Sequence, residues 1–132
     1  MSIKQPRVLL IEDEFKLAQY LYLEFQDAGY DVTMAHSGLT GIELLMAQPF
    51  DLVVLDWNLP QLSGLAICER LRMWCDRALI VMMTAYDDPD KRRMAYRAGV
   101  DEYLIKPFSV DQIMGSLNCL LATNRFSVIS NL

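Results

Sequence analysis

Short apolar runs that alternate with stretches of helical periodicity constrain the fold of this chain more than any other feature. Residues 8–11, 52–55 and 79–83 are such runs, and none of them contains a charged side chain. Uninterrupted apolar runs of this length are typical of strands that are buried on both faces of a parallel sheet. Two weaker runs, at 30–35 and 103–105, indicate strands nearer the sheet edges.

The segments between these runs have the pattern of amphipathic helices. In the first of them, Leu17, Leu21 and Phe25 recur every fourth residue, which places them on one helix face. Ser109 and Gln112 form a capping-box pattern at the start of the last segment. We therefore predict strands at 6–12, 30–35, 51–55, 79–83 and 102–105, and helices at 14–28, 38–47, 64–74, 89–98 and 109–122.

Five strands that alternate with five helices predict an α/β fold with a single doubly wound parallel sheet. We expect a (βα)5 domain with the flavodoxin-like strand order 2-1-3-4-5. The chain has 132 residues, which is the size of one domain. We expect that domain to occupy residues 1–122 and residues 123–132 to be a C-terminal tail or the beginning of a linker.

Composition excludes several classes of function. The chain carries 12 Lys and Arg against 17 Asp and Glu, a net charge of −5, which disfavours direct binding of nucleic acid. Its three cysteines, Cys68, Cys75 and Cys119, form no C-x-x-C pair and there is one histidine, which disfavours a disulfide framework or a zinc site. The sequence has no signal-peptide pattern and no apolar run of membrane-spanning length. We therefore expect a cytoplasmic protein that does not bind membranes.

Polar residues follow four of the five predicted strands. The first strand ends in Glu12 and Asp13, the third in Asp56, the fourth in Thr84 and the fifth in Lys106. Ligands of doubly wound sheets bind outside the carboxyl ends of the strands, where the strand order reverses. In the order 2-1-3-4-5 these four strands are contiguous, so the sequence predicts one site that contains all five side chains.

The charges at this predicted site require a cation. Two carboxylates 4 Å apart repel each other by about 4 kcal/mol at an effective dielectric constant near 20. Lys106 supplies one positive charge against the three carboxylates. A hard divalent ion that prefers oxygen ligands, with Mg²⁺ as the default, would supply the rest.

Four motifs give the chain a specific resemblance. They are LIEDE at residues 10–14, DLVVLDWNLP at 51–60 with Gly64, MTA at 83–85 and YLIKPF at 103–108. In this order they resemble a response-regulator receiver domain of two-component signalling. The residues of the motifs are most similar to those of receivers of the winged-helix transcription-factor class. The resemblance extends over roughly residues 6–122.

The resemblance implies a role for each residue at the strand ends. Asp56 would be the phosphoacceptor, which takes a phosphoryl group from a histidine kinase or a phosphotransfer protein. Asp13 and Asp56 would bind Mg²⁺ together with the backbone carbonyl of Asn58, while Glu12 would act through water. The remaining two residues, Thr84 and Lys106, would bind phosphoryl oxygens. Such a protein assists its own phosphorylation and dephosphorylation, so we do not expect an enzyme in the usual sense.

The resemblance also implies a switch. Phosphorylation would draw Thr84 inward, and Tyr103 would fill the vacated space. The face formed by the fourth helix, fifth strand and fifth helix would then act on an output domain or a target protein, with transcription as the expected process. The resemblance also implies a phosphorylation-dependent homodimer through this face, although Ser116 stands where many relatives of this class carry an interface arginine. We expect any DNA-binding output domain to lie outside this sequence.

Other functions remain open at this point. A stand-alone receiver would act through protein contacts without an output domain. A phosphatase of the haloacid dehalogenase type also uses an aspartyl nucleophile and Mg²⁺, but it needs a second Asp where this chain has Asn58. A flavodoxin-type flavin carrier would place a phosphate against residues 12–14, whose three carboxylates would repel it.

Overall fold

The computed structural model describes residues 5–130 of the chain, and the side chains of residues 5–123. Its strands are β1 (Arg7–Ile11), β2 (Asp31–Ala35), β3 (Leu52–Asp56), β4 (Leu79–Thr84) and β5 (Glu102–Ile105). Its helices are α1 (Phe15–Asp27), α2 (Gly38–Ala47), α3 (Gly64–Met73), α4 (Pro89–Arg97) and α5 (Val110–Ser130). Each lies where the alternating pattern predicts it.

The five strands form one parallel sheet in the order β2-β1-β3-β4-β5, so the predicted (βα)5 fold and strand order are confirmed. The strand order reverses direction between β1 and β3, which makes the carboxyl edge at these two strands the switch point of the sheet. Every residue of β3, the central strand, is buried. Continuous burial explains why the sequence of β3 is an uninterrupted apolar run up to Asp56.

Helices cover both faces of the sheet. Alternate strand residues such as Leu9 and Val53 pack with α2, α3 and α4, while their neighbours such as Leu10 and Val54 pack with α1 and α5. The two cores follow from the alternation of side chains along each strand. None of the helices in the described part of the chain is long and apolar enough to span a membrane.

One helix is longer than predicted. The backbone of α5 stays helical to Ser130, whereas the sequence pattern placed its end at residue 122. No glycine or proline follows Gly115, so the chain lacks the residues that usually terminate a helix. The division into a domain at 1–122 and a tail at 123–132 stays a prediction, because the side chains from 124 onward and residues 131–132 lie outside the described part.

Candidate functional site

The parallel sheet brings the polar strand ends to one edge. Glu12 directly follows β1, Asp56 and Thr84 are the last residues of β3 and β4, and Lys106 directly follows β5. The register aligns these ends, since Asp56 pairs with Met83 and Thr84 pairs with Ile105. The edge strand β2 ends in an apolar residue and contributes no such group.

Three carboxylates form a cluster at this edge. Glu12, Asp13 and Asp56 each offer one oxygen, and these oxygens lie within 4.8 Å of one another. Glu12 is fully buried, Asp56 is 7% exposed, and Asp13 is open to solvent. The cluster therefore has a buried interior and one exposed side through which an ion can enter.

The ammonium group of Lys106 is bonded to two of these carboxylates. Its Nζ donates to Oε1 of Glu12 at 2.8 Å and to Oδ2 of Asp56 at 2.6 Å. Burial lowers the pKa of Lys106, but the hydrogen bonds and charges of Asp56 and Glu12 outweigh burial, and the pKa is raised overall. Lys106 is therefore positively charged at neutral pH.

Burial acts in the opposite direction on Glu12. Desolvation raises the pKa of the Glu12 carboxyl above its usual value, while the hydrogen bonds from Lys106 and from the Glu14 backbone N–H oppose this shift. With its carboxylates ionised, the cluster carries three negative charges against the one positive charge of Lys106. A further cation would therefore stabilise it.

The donor set fits a hard divalent cation. All three clustered ligand atoms are carboxylate oxygens, which Mg²⁺ prefers over nitrogen or sulfur. Mg²⁺ also keeps several of its waters, so an exposed side at Asp13 suits it. These residues consequently meet the chemical requirements for Mg²⁺.

The loop at 57–63, which we call the acceptor loop, connects Asp56 to α3. Oδ1 of Asp56 accepts a hydrogen bond from the Asn58 N–H at 2.9 Å, which fixes the orientation of the carboxylate. Gly64 begins α3 and donates its N–H to the Trp57 carbonyl at 2.9 Å. Ser63 caps the helix by accepting from the Ala66 N–H at 3.2 Å.

Thr84 and Tyr103 are linked through the backbone of a third residue, Tyr86. Oγ1 of Thr84 accepts a hydrogen bond from the Tyr86 N–H at 3.0 Å, and the Tyr103 hydroxyl donates to the Tyr86 carbonyl at 2.7 Å. Thr84 is fully buried and Tyr103 is 2% exposed. The predicted switch residues are thus physically connected, and in this structure the Tyr103 ring already lies inside the protein.

Sequence reasoning missed the part that Tyr86 plays. Its hydroxyl also donates to Oδ1 of Asn58 at 2.9 Å, so one residue contacts both the acceptor loop and the Thr84–Tyr103 pair. The available signal was an aromatic residue two positions after the strand-end threonine. A second residue of this region is Lys91, whose ammonium group lies over the rings of Trp57 and Tyr86.

Comparison with known proteins agrees with this geometry. Residues 8–118 match the family described as response regulator receiver domain. The response regulator ArlR of Staphylococcus saprophyticus is 31% identical over 115 residues, which are 87% of this chain and 52% of that protein. The uncharacterized transcriptional regulatory protein YkoG of Bacillus subtilis is 32% identical over 122 residues, which are 92% of this chain and 54% of that protein. The chain thus spans about half the length of the curated relatives it matches.

Solved structures give the same result. The receiver domain of the Francisella response regulator 1452 superimposes with a TM-score of 0.87 at 30% identity, covering 91% of this chain and 99% of that one. The receiver domain of the Pseudomonas aeruginosa sensor histidine kinase PA1611, solved with a magnesium ion in its active-site cleft, gives 0.78 at 26% identity, covering 86% and 95%. The chain therefore belongs to the response regulator receiver domain family.

Proposed function

We propose that this domain accepts a phosphoryl group on Asp56 from a histidine kinase or a phosphotransfer protein. The observation that carries the proposal is the hydrogen bond between Asp56 and Lys106, inside a cluster of three carboxylates at the switch point of the sheet. The backbone N–H of Asn58 holds the other Asp56 oxygen. An oriented carboxylate beside a fixed cation is suited to attack phosphorus.

The side chains around Asp56 favour transfer by stabilising charge. Phosphoryl transfer passes through a loose transition state in which charge spreads over the peripheral phosphoryl oxygens. Lys106 would pair with one of these oxygens, and the Thr84 hydroxyl would donate a hydrogen bond to another. Because Lys106 is already held against Asp56, this cation needs little reorganisation during the reaction. The same arrangement lets the domain assist its own phosphorylation and dephosphorylation.

Mg²⁺ is the cofactor in this proposal. Asp13 and Asp56 would bind it directly with the backbone carbonyl of Asn58, and Glu12 would contact it through water. When bound, the ion supplies positive charge that offsets the carboxylates and the incoming phosphoryl group. The receiver domain of PA1611, which holds a magnesium ion in its active-site cleft, supports this assignment for the present domain.

The effect of phosphorylation would be passed to a transcriptional output. The names of relatives such as YkoG support transcription, and those relatives are about twice as long as the matched region. The face of α4, β5 and α5 would contact the output domain or a target protein in the cytoplasm, through the Thr84–Tyr103 switch. A homodimer that forms on phosphorylation through this face fits the same function.

The phosphoacceptor is tested by intact mass after incubation with acetyl phosphate and Mg²⁺. The wild-type protein should gain about 80 Da, the mass of one phosphoryl group, and Asp56→Asn should gain nothing. Absence of this species from the wild type, or its presence in Asp56→Asn, contradicts the proposal. Turnover of a generic phosphomonoester would favour a phosphatase instead.

The homodimer is tested separately by sedimentation equilibrium with and without beryllofluoride, which mimics the phosphoryl group. A doubling of mass in the presence of beryllofluoride and Mg²⁺ is expected. An unchanged mass contradicts the homodimer and leaves phosphorylation of Asp56 unaffected.

A further inference from the structure

Next to Asp56 lies a cation–aromatic cluster, formed by Trp57, Tyr86 and Lys91. The rings of Trp57 and Tyr86 meet edge to face, with their centroids 5.4 Å apart. The ammonium nitrogen of Lys91 lies 5.3 Å from the Trp57 ring centroid and 4.7 Å from that of Tyr86. One cation therefore attracts two rings at once.

The cluster joins three separate segments of the chain. Trp57 belongs to the acceptor loop, Tyr86 to the loop after β4, and Lys91 to the first turn of α4. Asp88 caps that helix by accepting hydrogen bonds from the N–H groups of Asp90 and Lys91, which fixes the position of the turn. The cluster thus attaches α4 to the acceptor loop.

Two hydrogen bonds connect the cluster to the phosphoacceptor. The Tyr86 hydroxyl donates to the Asn58 side chain, and the Asn58 N–H donates to Asp56. Trp57 is 8% exposed and Asp56 is 7% exposed, so little water reaches this side of the site. Tyr86 is therefore connected to Asp56 through the acceptor loop.

We propose that Lys91 is a positioning residue that slows hydrolysis of phosphorylated Asp56, because it holds Trp57 and Tyr86 against the acceptor loop and limits the access of water. This inference rests on the proposed function. In hydrolysis, a water oxygen attacks phosphorus and the bond between phosphorus and the Asp56 oxygen breaks. The products are the free carboxylate, inorganic phosphate and one proton that passes to solvent.

Charge alone does not explain the placement of Lys91. Arg93, on the same helix turn, pairs with Asp90 at the surface and its side chain is 62% exposed. Lys91 is partly buried and lies over the rings instead. The two residues have the same charge and lie on the same element, so Arg93 provides a matched control.

The test measures the decay of phosphorylated protein. Wild type and variants are phosphorylated with acetyl phosphate and Mg²⁺, the donor is removed by desalting, and the phosphorylated fraction is followed by intact mass. Lys91→Gln should decay about three- to tenfold faster than wild type, the range expected for one lost cation–aromatic contact. Lys91→Arg, whose guanidinium also stacks on aromatic rings, should restore slow decay, and Arg93→Gln should decay at the wild-type rate.

A double-mutant cycle tests whether Lys91 acts through Tyr86. Tyr86→Leu should also accelerate decay, and adding Lys91→Gln to it should have a smaller effect than in wild type, because only the contact with Trp57 is then left to lose. Emission of Trp57, recorded in a Trp74→Phe background, should change with Lys91→Gln and should be restored by Lys91→Arg. A merely structural role for Lys91 would not predict this pattern.

Several results would overturn the inference. Decay of Lys91→Gln at the wild-type rate would do so, as would equal acceleration by Arg93→Gln or failure of Lys91→Arg to restore slow decay. Additive effects of Lys91→Gln and Tyr86→Leu would show that the two residues act independently, which also contradicts it. If the wild type forms no phosphorylated species, the proposed function itself fails, and that result is distinguishable from all of these.

Discussion

A single residue, Lys106, holds the acidic site together. Burying an ionised carboxylate is costly unless it is paired and hydrogen-bonded, and Glu12 is fully buried. Lys106 satisfies this requirement for Glu12 and binds Asp56 at the same time. Asp13 receives no such bond and is exposed, so it is the carboxylate most available to an added cation.

We predict that Mg²⁺ stabilises the domain and that Asp13→Asn removes most of this effect. A ligand that binds the folded state at about 100 times its Kd adds about 2.7 kcal/mol to the free energy of unfolding. Urea unfolding with and without MgCl₂ at constant ionic strength measures the difference. Glu14→Gln, at the exposed neighbour, is the control and should retain the stabilisation. Equal stabilisation of Asp13→Asn and wild type would contradict the ligand assignment.

The cysteines should differ sharply in reactivity. Cys68 is buried in α3, and burial raises its pKa from 9.0 to about 12, while Cys75 and Cys119 are exposed. Because the thiolate is the reactive form, Cys68 should stay unmodified in the folded protein at pH 8. Iodoacetamide should therefore label two sites in native protein and three in denatured protein. Peptide mapping that finds Cys68 labelled in the native state would contradict this.

At the scale of elements, the start of α3 lies in close contact with the end of β3. A Cβ atom added at Gly64 would lie 2.2 Å from the Asp56 carbonyl oxygen, which is closer than van der Waals contact allows. Because this oxygen belongs to the backbone of β3, it cannot move aside as the end of a flexible side chain could. The helix can approach Asp56 this closely only because residue 64 has no side chain. The geometry of Asp56 therefore depends on this packing.

Gly64→Ala should destabilise the domain by about 2–4 kcal/mol, because the added methyl group forces α3 away from β3. Phosphorylation by acetyl phosphate should slow as Asp56 is displaced. Gly115→Ala, within α5 where an added Cβ meets nothing within 4 Å, should instead stabilise by about 0.5–1 kcal/mol. Urea unfolding of both variants checks the opposite signs, and a neutral effect of Gly64→Ala would be inconsistent with the close approach.

A second link between elements runs from α3 to the segment before β4 and to the segment after α4. The Arg72 guanidinium donates to the carbonyls of Gly99, Asp76 and Ala78 at 2.7–2.9 Å, and to the Asp101 carboxylate at 3.1 Å. The segments that connect α3 to β4 and α4 to β5 thus share one side chain. Removing the Arg72 side chain would lower the free energy of unfolding mainly because these carbonyl groups would lose their hydrogen-bond donor.

Arg72→Ala should therefore lower the free energy of unfolding by about 2–3 kcal/mol. Arg70→Ala, at an exposed position of the same helix, should change it by less than about 0.5 kcal/mol. Denaturation midpoints of the two variants provide the comparison. Similar losses in both would indicate that helix propensity, rather than the shared hydrogen bonds, is responsible.

At the scale of the whole molecule, three groups with high pKa values make stability depend on pH in the same direction. They are Cys68, Tyr103 and Lys106. Burial raises the pKa of Cys68 and Tyr103, and the bonds to Asp56 and Glu12 raise that of Lys106 despite its burial. Each group therefore keeps its proton in the folded state at a pH where the unfolded chain has lost it. Stability that depends on these protons is present at neutral pH and is lost as pH rises.

We predict that the free energy of unfolding falls as pH rises through about 9, where half of the Cys68 thiol is ionised in the unfolded chain, and continues to fall through the range of Tyr103 and Lys106. Urea unfolding at intervals between pH 7 and pH 11 measures the slope. Cys68→Ala should have a shallower slope between pH 9 and pH 10 than wild type. A rise in stability over this range would contradict the directions of the shifts.

Much of the fold could be predicted from the sequence because the pattern is local. Apolar runs such as 52–55 mark buried strands, and helical periodicity marks the segments between them. The end of α5 could not be placed, since the last residues contain neither glycine nor proline. The strand-end residues Asp56 and Lys106 could be grouped because the carboxyl ends of parallel strands share one edge of a sheet.

Contacts between distant segments could not be predicted in this way. Lys91 and Arg93 look equivalent as charges on one helix, yet one lies over two aromatic rings and the other pairs at the surface. Tyr86 contacts Asn58 across 28 positions of the chain, a distance at which no periodicity carries information. Such contacts depend on how elements pack.

The sequence by itself determined the order of elements, the parallel sheet and the group of polar residues at its carboxyl edge. These follow from the spacing of apolar residues and from the residues that end each strand, and both are local properties of the sequence. The tertiary structure alone decided that Glu12 is buried while its neighbour Asp13 is exposed, and that Tyr86 joins Thr84, Tyr103 and the acceptor loop. The physical reason is that burial and long-range hydrogen bonds depend on which surfaces meet, and that is established only when helices pack onto the sheet.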